Sequence, residues 1–375
     1  MVEKQGALAT NCVAEITPWL ELIHDTRWTR QQKYTLLGHF RCPATILQAD
    51  SSLLHAVLSG AKVRPRRPIE RAVERDLRWL LQQDHNLIHC FDDRYPDSLK
   101  HIHDPPLALY TKGNVKLLSQ PGVAMVGSRR PTPLGQQIAR KFASELARRN
   151  TLIVSGMALG VDGLAHDSAL GVNGPTVAVL GSGLAKPSPA RHEGLFSRLA
   201  SCGLVVSEYA VDQHATRYSF PERNRIISGL SAGVIVIEAA ARSGTLITAR
   251  LAAEQGREVL VVPGPIFSAQ YHGSHGLIQQ GAALVQSVDD VLMVLGWDSD
   301  EHASDSSASQ IAQKFPRECA ALLQHIAVEE TSVDRLILAT GLTPGEVSSM
   351  LMTLELAGAI VQGNCGGYIN LTQQL

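Results

Sequence analysis

The amino-acid sequence predicts an α/β protein built around a doubly wound, mostly parallel sheet. Six short apolar segments recur after residue 122, and each is a near-continuous apolar run, as expected of strands covered by helices on both faces. A helical pattern separates each segment from the next, which is the alternation that produces parallel strands. The six segments read VAMVG, TLIVSG, TVAVLG, LVVSEY, GVIVIEA and EVLVVPG.

The segments on either side of the sheet predict two smaller domains. Residues 1–75 are predicted to form a helical domain, with short helices from residue 13 to about residue 60. A longer amphipathic helix, RRPIERAVERDLRWLLQQ, leads into the sheet domain of residues 76–296. Residues 297–314 are rich in Ser, Asp and Ala, which is typical of a flexible linker. Residues 315–375 are predicted to form a winged helix-turn-helix. They contain three helical patterns, the last over residues 344–362, followed by a Gly-containing turn and a strand.

The composition excludes several classes of protein. With 375 residues, 45% hydrophobic and 18% charged, the chain is an ordinary globular protein of two or three domains. No run approaches the roughly 18 apolar residues of a membrane span, and the amino terminus lacks the apolar core of a signal peptide, so we expect a cytoplasmic protein. The six cysteines form no C-x-x-C pair, which argues against zinc and against a disulfide framework. No metal or cofactor is expected.

Charge is unevenly distributed along the chain, whose net charge is −1. Lys and Arg outnumber Asp and Glu by 16 to 13 in residues 1–120 and by 15 to 12 in residues 121–296, whereas residues 297–375 have 3 against 10. Thirteen of the fifteen basic residues in 121–296 are Arg, which grips phosphate through a planar fork and stacks on bases. The sheet domain therefore favours a polyanion over a small metabolite.

The predicted winged helix is poor in cations. Residues 315–375 contain only Arg317 and Arg335 against six acidic residues. Because affinity for nucleic-acid phosphates needs cations, we expect this domain to dock a protein or to pack within the molecule rather than to bind duplex DNA.

Small residues follow each predicted strand. In an open α/β sheet the ligand lies beyond the carboxyl ends of the strands, where Gly exposes backbone N–H groups and Ser or Thr adds hydroxyls. One such turn alone indicates only a tight connection, whereas five at one edge favour an anion site. The candidate residues of this rim are Gly127, Ser128, Arg129, Ser155, Gly156, Gly181, Ser243, Gly244 and Thr245.

Basic residues in two further segments could complete the anion site. In FPERNRIISGLS, Arg223, Asn224 and Arg225 stand where an apolar helix is predicted to begin, an unfavourable place for cations unless they bind phosphate or pair internally with Glu208 or Glu238. In KPSPARHEGL, Lys186 and Arg191 could extend a basic lip or simply lie on an exposed loop.

Carboxylates give little sign of catalysis. Asp162 and His166 in GVDGLAH have helical i, i+4 spacing, but we expect Asp162 to cap the following helix and His166 to pack behind it. No Walker, H-E-x-x-H or G-x-S-x-G sequence is present. A dinucleotide-binding hypothesis fails because Arg129 replaces the second Gly of the required pattern.

Six ordered motifs resemble those of the DprA/Smf family of DNA-processing proteins. They are GSR after the first strand, SGMALGVDGLAH, AVLGSGL, FPERNRIISGLS, RSGTLITARLAAEQGREVLVVPGP and HGLIQQGA. The resemblance is strong over residues 80–295 and implies an extended Rossmann-like domain without hydride chemistry, a helical SAM-like or helix-hairpin-helix-like amino-terminal domain and a carboxyl-terminal winged helix. It also implies a homodimer that binds single-stranded DNA, protects it and loads the RecA recombinase on it during natural transformation.

The resemblance also implies particular DNA-binding residues. These are Arg129, Arg191 or Lys186, and the pair Arg223 and Arg225. The chain departs from the family pattern at Leu159, where an arginine is frequent, and at Leu134, where an aromatic residue is common.

A phosphoribohydrolase of related fold is the alternative function. SGTLIT resembles the middle of the motif of those enzymes, yet their catalytic Glu is replaced by Thr248, so we expect no enzymatic activity.

Overall fold

The computed structural model describes residues 2–60, 64–65, 67–297, 319, 322–323, 325–326, 331–356, 359–362 and 367–370. The chain divides into two compact units, residues 1–297 and residues 298–375. The predicted linker, apart from its first residue, lies outside the described residues.

The amino-terminal segment is helical. Its helices are α1 (Val2–His24), α2 (Arg30–Phe40), α3 (Pro43–Gln48), α4 (Ser51–Val57) and α5 (Glu70–Leu80). The prediction of short helices is wrong for α1, a single helix of 23 residues. A capping box of Thr29 and Gln32 begins α2, and the boundary predicted at residue 75 falls within α5. Division of residues 1–297 into two domains therefore remains a prediction.

A nine-stranded sheet forms the centre of the first unit. Its strands are β1 (His85–His89), β2 (Ala108–Gly113), β3 (Gly122–Val126), β4 (Leu152–Ser155), β5 (Thr176–Leu180), β6 (Leu204–Ser207), β7 (Gly233–Val236), β8 (Glu258–Val261) and β9 (Ala283–Leu284). The spatial order is β1-β2-β6-β5-β4-β3-β7-β8-β9. Strands β3 to β9 are parallel, whereas β1 and β2 add an antiparallel edge. The predicted fold class and all six predicted strands, β3 to β8, are confirmed.

Helices cover both faces of this sheet. They are α6 (Asp97–Lys100), α7 (Pro133–Arg148), α8 (Val161–Gly171), α9 (Glu193–Cys202), α10 (Ser219–Gly229), α11 (Thr245–Glu254), α12 (His272–Gln279) and α13 (Val288–Val294). Alternate side chains of β3 enter two separate apolar cores, Val123 and Met125 in one and Ala124 and Val126 in the other. This two-sided burial explains why the strands are continuous apolar runs.

The order of the strands reverses at β3. Strand β4 pairs with one edge of β3 and β7 with the other, so the loops that leave β3 and β7 diverge to opposite faces. Such a switch point opens a crevice at the carboxyl ends of the two strands.

The second unit has the helix-turn-helix and hairpin of a winged helix. Its elements are α14 (Val333–Thr340), α15 (Pro344–Leu356), β10 (Ile360–Gln362) and β11 (Tyr368–Asn370). Of the first predicted helix, residues 318–326, the structure describes five residues, of which Cys319, Leu322 and Leu323 are helical. The prediction of one helix over residues 344–362 is wrong, because α15 ends at Leu356 and Ile360 begins the hairpin. Leu336, Val347 and Leu354 share a buried core in this unit.

Candidate functional site

A cleft of about 670 Å³ lies where the order of the strands reverses. Its walls come from the turn after β3, from the segment that begins α10 and from the turn between β7 and α11. We call it the switch-point cleft, and its principal lining residues are Gly127, Ser128, Arg129, Asp162, Arg217, Phe220, Arg223, Asn224, Arg242, Ser243, Gly244, Thr245 and Thr248. Eight of the residues predicted for the anion site thus line one cavity: Gly127, Ser128, Arg129, Arg223, Asn224, Ser243, Gly244 and Thr245.

Three exposed arginines line the switch-point cleft. Cζ of Arg129 lies 5.4 Å from the ring centroid of Phe220, and Cζ of Arg217 lies 4.6 Å from that of Tyr218. Arg242 stands in the turn after β7. Within the part of the chain that the structure describes, no carboxylate pairs with Arg129, Arg217 or Arg242. Their guanidinium groups are available to an anionic ligand.

Arg223 forms the floor of the cleft. Its side chain is only 4% exposed, its Nη1 donates to the carbonyl oxygens of Gly156, at 2.7 Å, and Val179, and its Nε donates to Oδ1 of Asn224 at 3.2 Å. Burial lowers the pKa of Arg223 to about 10, although the negative charge of Asp162 acts to raise it. The guanidinium remains charged at neutral pH, and it holds the turns that end β4 and β5 against α10.

Arg225 does not reach the switch-point cleft. Two residues along a helix are separated by about 200° of rotation, so Arg225 faces away from Arg223. Its Nη2 donates to both carboxylate oxygens of Glu208, at 2.5 and 2.6 Å, and its Nε lies 3.4 Å from Asp104. The alternative of internal pairing with Glu208 therefore holds for Arg225, and its assignment as a DNA contact is not supported.

The expected helix start at this segment is wrong. Helix α10 begins at Ser219, so Arg223 and Arg225 lie in its second turn, beyond the positive end of the helix dipole. Their placement needs no bound phosphate, because backbone carbonyls surround the guanidinium of Arg223 and carboxylates that of Arg225.

Three predicted rim residues lie beneath the cleft and do not line it. Ser155 is buried, and its Oγ donates to the carbonyl oxygen of Met125 at 2.6 Å. A Cβ added at Gly156 would lie 2.6 Å from Nη2 of Arg223, and one at Gly181 would lie 3.3 Å from Phe220. These residues permit the close approach of α10 to the strand ends, so their contribution is to position the cleft.

The predicted basic lip lies outside the lining of the cleft. Lys186 and Arg191 are exposed on the connection between β5 and α9. The Nζ of Lys186 lies 3.0 Å from Nε2 of His214. Neither residue lines the switch-point cleft, so their position agrees with the alternative that they lie on an exposed loop.

Buried polar groups brace the loops around the cleft. Oδ2 of Asp162 accepts the N–H of Gly156 at 3.0 Å, so Asp162 binds the turn after β4 and does not cap α8 as expected. Burial raises the pKa of Asp162. The carboxylate of Glu238 accepts both the N–H and the hydroxyl of Thr132, which holds the turn that follows Arg129.

His166 is fully buried behind this floor, as expected. Its Nδ1 lies 2.7 Å from Oγ1 of Thr176, and burial lowers the pKa of the imidazole to about 3. The ring is therefore neutral at physiological pH, which suits packing and not proton transfer.

Two of the cleft arginines, Arg217 and Arg242, are absent from the predicted set, as is the aromatic Phe220. Arg242 and Phe220 are the first residues of two of the quoted motifs, RSGTLITARLAAEQGREVLVVPGP and FPERNRIISGLS, and Arg217 lies three residues before Phe220. Among the described residues, no group of His, Cys, Asp or Glu is placed to hold a metal ion, and no helix has the length and apolarity to cross a membrane.

The fold and the cleft define a Rossmann-like protein with an arginine-lined cleft at its switch point and a winged helix in its second unit. The family model described as DNA recombination-mediator protein A matches residues 86–296, and the model of the DprA winged helix domain matches residues 307–364. The chain therefore belongs to the DprA/Smf family.

Individual relatives agree with this assignment. Protein Smf of Escherichia coli is 43% identical over 309 residues, which cover 80% of this chain and 81% of that protein. A crystal structure of DprA from Streptococcus pneumoniae superposes with a TM-score of 0.62 at 36% identity, covering 74% of this chain and 97% of that one. A structure of Helicobacter pylori DprA, described in terms of its single-stranded DNA binding mode, gives a TM-score of 0.51 at 33% identity, covering 56% and 95%.

Proposed function

We propose that this protein binds single-stranded DNA in the switch-point cleft, protects it, and loads the RecA recombinase on it during natural transformation. One observation carries the DNA-binding proposal: Arg129, Arg217 and Arg242 line the same cavity. Among the described residues, none of the three has a carboxylate partner. The acidic residue among those that line the cleft, Asp162, is buried and accepts a backbone N–H. The similarity to the Helicobacter pylori protein supports the same ligand.

The cleft offers two kinds of contact that tolerate any base sequence. Exposed guanidinium groups suit the phosphates of the strand, and the ring of Phe220 offers a face on which a base could stack. Backbone N–H groups of Gly127 and Gly244 and the hydroxyl of Ser128 add neutral donors. Under this proposal Arg223 positions the cleft, and Lys186 and Arg191 contact only a strand that extends beyond it.

Binding of oligo-dT should weaken steeply as salt rises. Each neutralised phosphate releases counterions, and for single strands the logarithm of the binding constant falls with the logarithm of salt concentration with a slope of about −0.7 per phosphate contact. With three arginines in the cleft we expect a slope of about −2 in fluorescence-anisotropy titrations of the full chain. Affinity that does not change with salt would contradict the proposal.

The loading step should appear as faster RecA assembly on a covered strand. We expect the full chain to accelerate RecA filament formation on oligo-dT that is already bound by a single-strand-binding protein, measured by the rate of ATP hydrolysis by RecA. The control is Arg129→Ala, which should accelerate assembly less. Equal rates with and without the wild-type protein would remove the loading role and leave the DNA-binding role intact.

No catalytic step is part of the proposal. In the alternative phosphoribohydrolase, the position of the catalytic Glu would be Thr248, which lines the cleft with a hydroxyl and not with a carboxylate. A carboxylate there would be needed for acid–base chemistry.

We further propose a cytoplasmic homodimer. The sheet ends at the short strand β9, where Leu284 is 48% exposed, and an edge strand with an exposed apolar side chain is a favourable place for a second copy to pair. Sedimentation of the full chain as a monomer at micromolar concentration would contradict the dimer.

A further inference from the structure

Four charged side chains connect the amino-terminal helical segment to α10. Arg30 donates from Nη1 to Oε1 of Glu208 at 2.5 Å, and its Nε lies 3.1 Å from Asp104. Arg225 of α10 pairs with the same two carboxylates. We call these four residues the Arg30 network. The side chains of Arg225 and Glu208 are 8% and 12% exposed, so solvent screens this pair little, whereas those of Arg30 and Asp104 are 28% and 33% exposed.

The position of Arg30 is informative. It is the first residue of α2, where a cation is disfavoured by the helix dipole. The two carboxylates supply the compensating charge. Tyr34, one turn further along α2, donates its hydroxyl to the carbonyl oxygen of Pro106 at 2.9 Å, so α2 also contacts the loop that carries Asp104.

The opposite face of α10 belongs to the switch-point cleft. Phe220 and Asn224 line the cleft, and Arg223 forms its floor, while Arg225 faces the Arg30 network. Because these residues belong to one helix, a shift of Arg225 on one face would move the cleft residues on the other.

We propose, on the basis of the DNA-binding function proposed above, that Arg30 is a positioning residue of the DNA site, through which the amino-terminal helical segment sets the affinity of the cleft. Arg30 does not line the cleft. It acts by holding Glu208 and Asp104 against Arg225. The helical segment would therefore influence DNA binding although none of its residues lines the cleft.

Two substitutions with opposite effects on charge test this inference. Arg30→Met removes a positive charge and keeps the apolar stem, while Asp104→Asn removes a negative charge and keeps the shape. Neither leaves a buried carboxylate alone, because Glu208 and Arg225 still pair. Positioning predicts that both variants bind oligo-dT about five- to tenfold more weakly than the wild type, at the lower end of typical coupling between sites. Long-range electrostatics alone predict that Asp104→Asn binds slightly more tightly.

A matched control lies in α5 of the same helical segment. Arg78 pairs with Glu74 at 2.5 Å, both side chains are exposed, and among the described residues no hydrogen bond or ion pair joins Arg78 to α10. Arg78→Met changes the charge by the same amount as Arg30→Met, and its affinity should stay within about twofold of the wild type. Affinity is measured by anisotropy at fixed salt, with thermal unfolding as the check on folding.

Asp104→Asn decides the inference. If Asp104→Asn binds oligo-dT as tightly as the wild type or more tightly, the inference that the Arg30 network positions the cleft is overturned. This conclusion does not depend on the affinity of Arg30→Met or on whether that variant folds. Weaker binding by Asp104→Asn, with the affinity of Arg78→Met unchanged, supports the inference. A wild-type protein that fails to bind oligo-dT would remove the proposed function itself, and the inference with it.

Discussion

Arg129→Ala should weaken binding of oligo-dT by about 10- to 100-fold, the loss expected for a charge-assisted hydrogen bond worth about 1.5–3 kcal/mol. The side chain is exposed, lines the switch-point cleft and has no carboxylate partner among the described residues. Its guanidinium contacts the ring of Phe220. Its removal leaves no buried group without a partner, so the free energy of unfolding should not change.

The neighbouring Arg130 provides the control for that prediction. Arg130→Ala changes the net charge by the same amount at an exposed position one residue away that does not line the cleft. Anisotropy titrations of the two variants at the same salt concentration separate a local contact from general electrostatic attraction. Equal losses in both variants would mean that the cleft does not hold a phosphate at Arg129.

Arg223→Ala should instead lower the free energy of unfolding by about 3–5 kcal/mol, the range seen when one partner of a buried charge pair is removed. The guanidinium is 4% exposed and satisfies the carbonyl oxygens of Gly156 and Val179. It also faces the buried carboxylate of Asp162, whose charge would lose its nearby cation. DNA binding should fall as well, because the floor of the cleft is lost.

Urea denaturation of Arg223→Ala and Arg217→Ala separates the two kinds of cleft arginine. Both variants remove one arginine of the cleft, but Arg217 is exposed, so its removal should cost little stability. An Arg223→Ala protein as stable as the wild type, with impaired DNA binding, would show that Arg223 contacts the strand directly and does not merely position the cleft.

Much of the fold could be predicted from the sequence because strands buried on both faces have an unmistakable composition. Strands β3 to β8 are continuous apolar runs between helical patterns, and each is found where it was expected. Strand β9 has only two residues, too few to give a pattern. The end of α15 was misjudged because LELAGAIVQ is apolar enough to continue a helix, whereas in the structure Ile360–Gln362 pairs with β11.

The sequence predicted the location of the candidate site but not which of its residues line the cleft and which are buried beneath it. The rule that ligands lie at the carboxyl ends of the strands places Arg129 and Ser243 correctly. It does not reveal that α10 lies across the ends of β4 and β5, which buries Ser155, Gly156 and the guanidinium of Arg223. Whether an arginine is available to a ligand depends on partners distant in the sequence, such as Glu208 for Arg225. The spacing of residues in the sequence does not reveal these pairs.

The structure of the full chain bound to a short oligo-dT would decide whether the switch-point cleft is the DNA site. We expect phosphate oxygens within hydrogen-bonding distance, about 2.7–3.2 Å, of the guanidinium groups of Arg129 and at least one of Arg217 and Arg242. A base should stack on Phe220 in the same complex. A strand bound elsewhere, with all three of these arginines facing solvent, would show that the cleft is not the binding site.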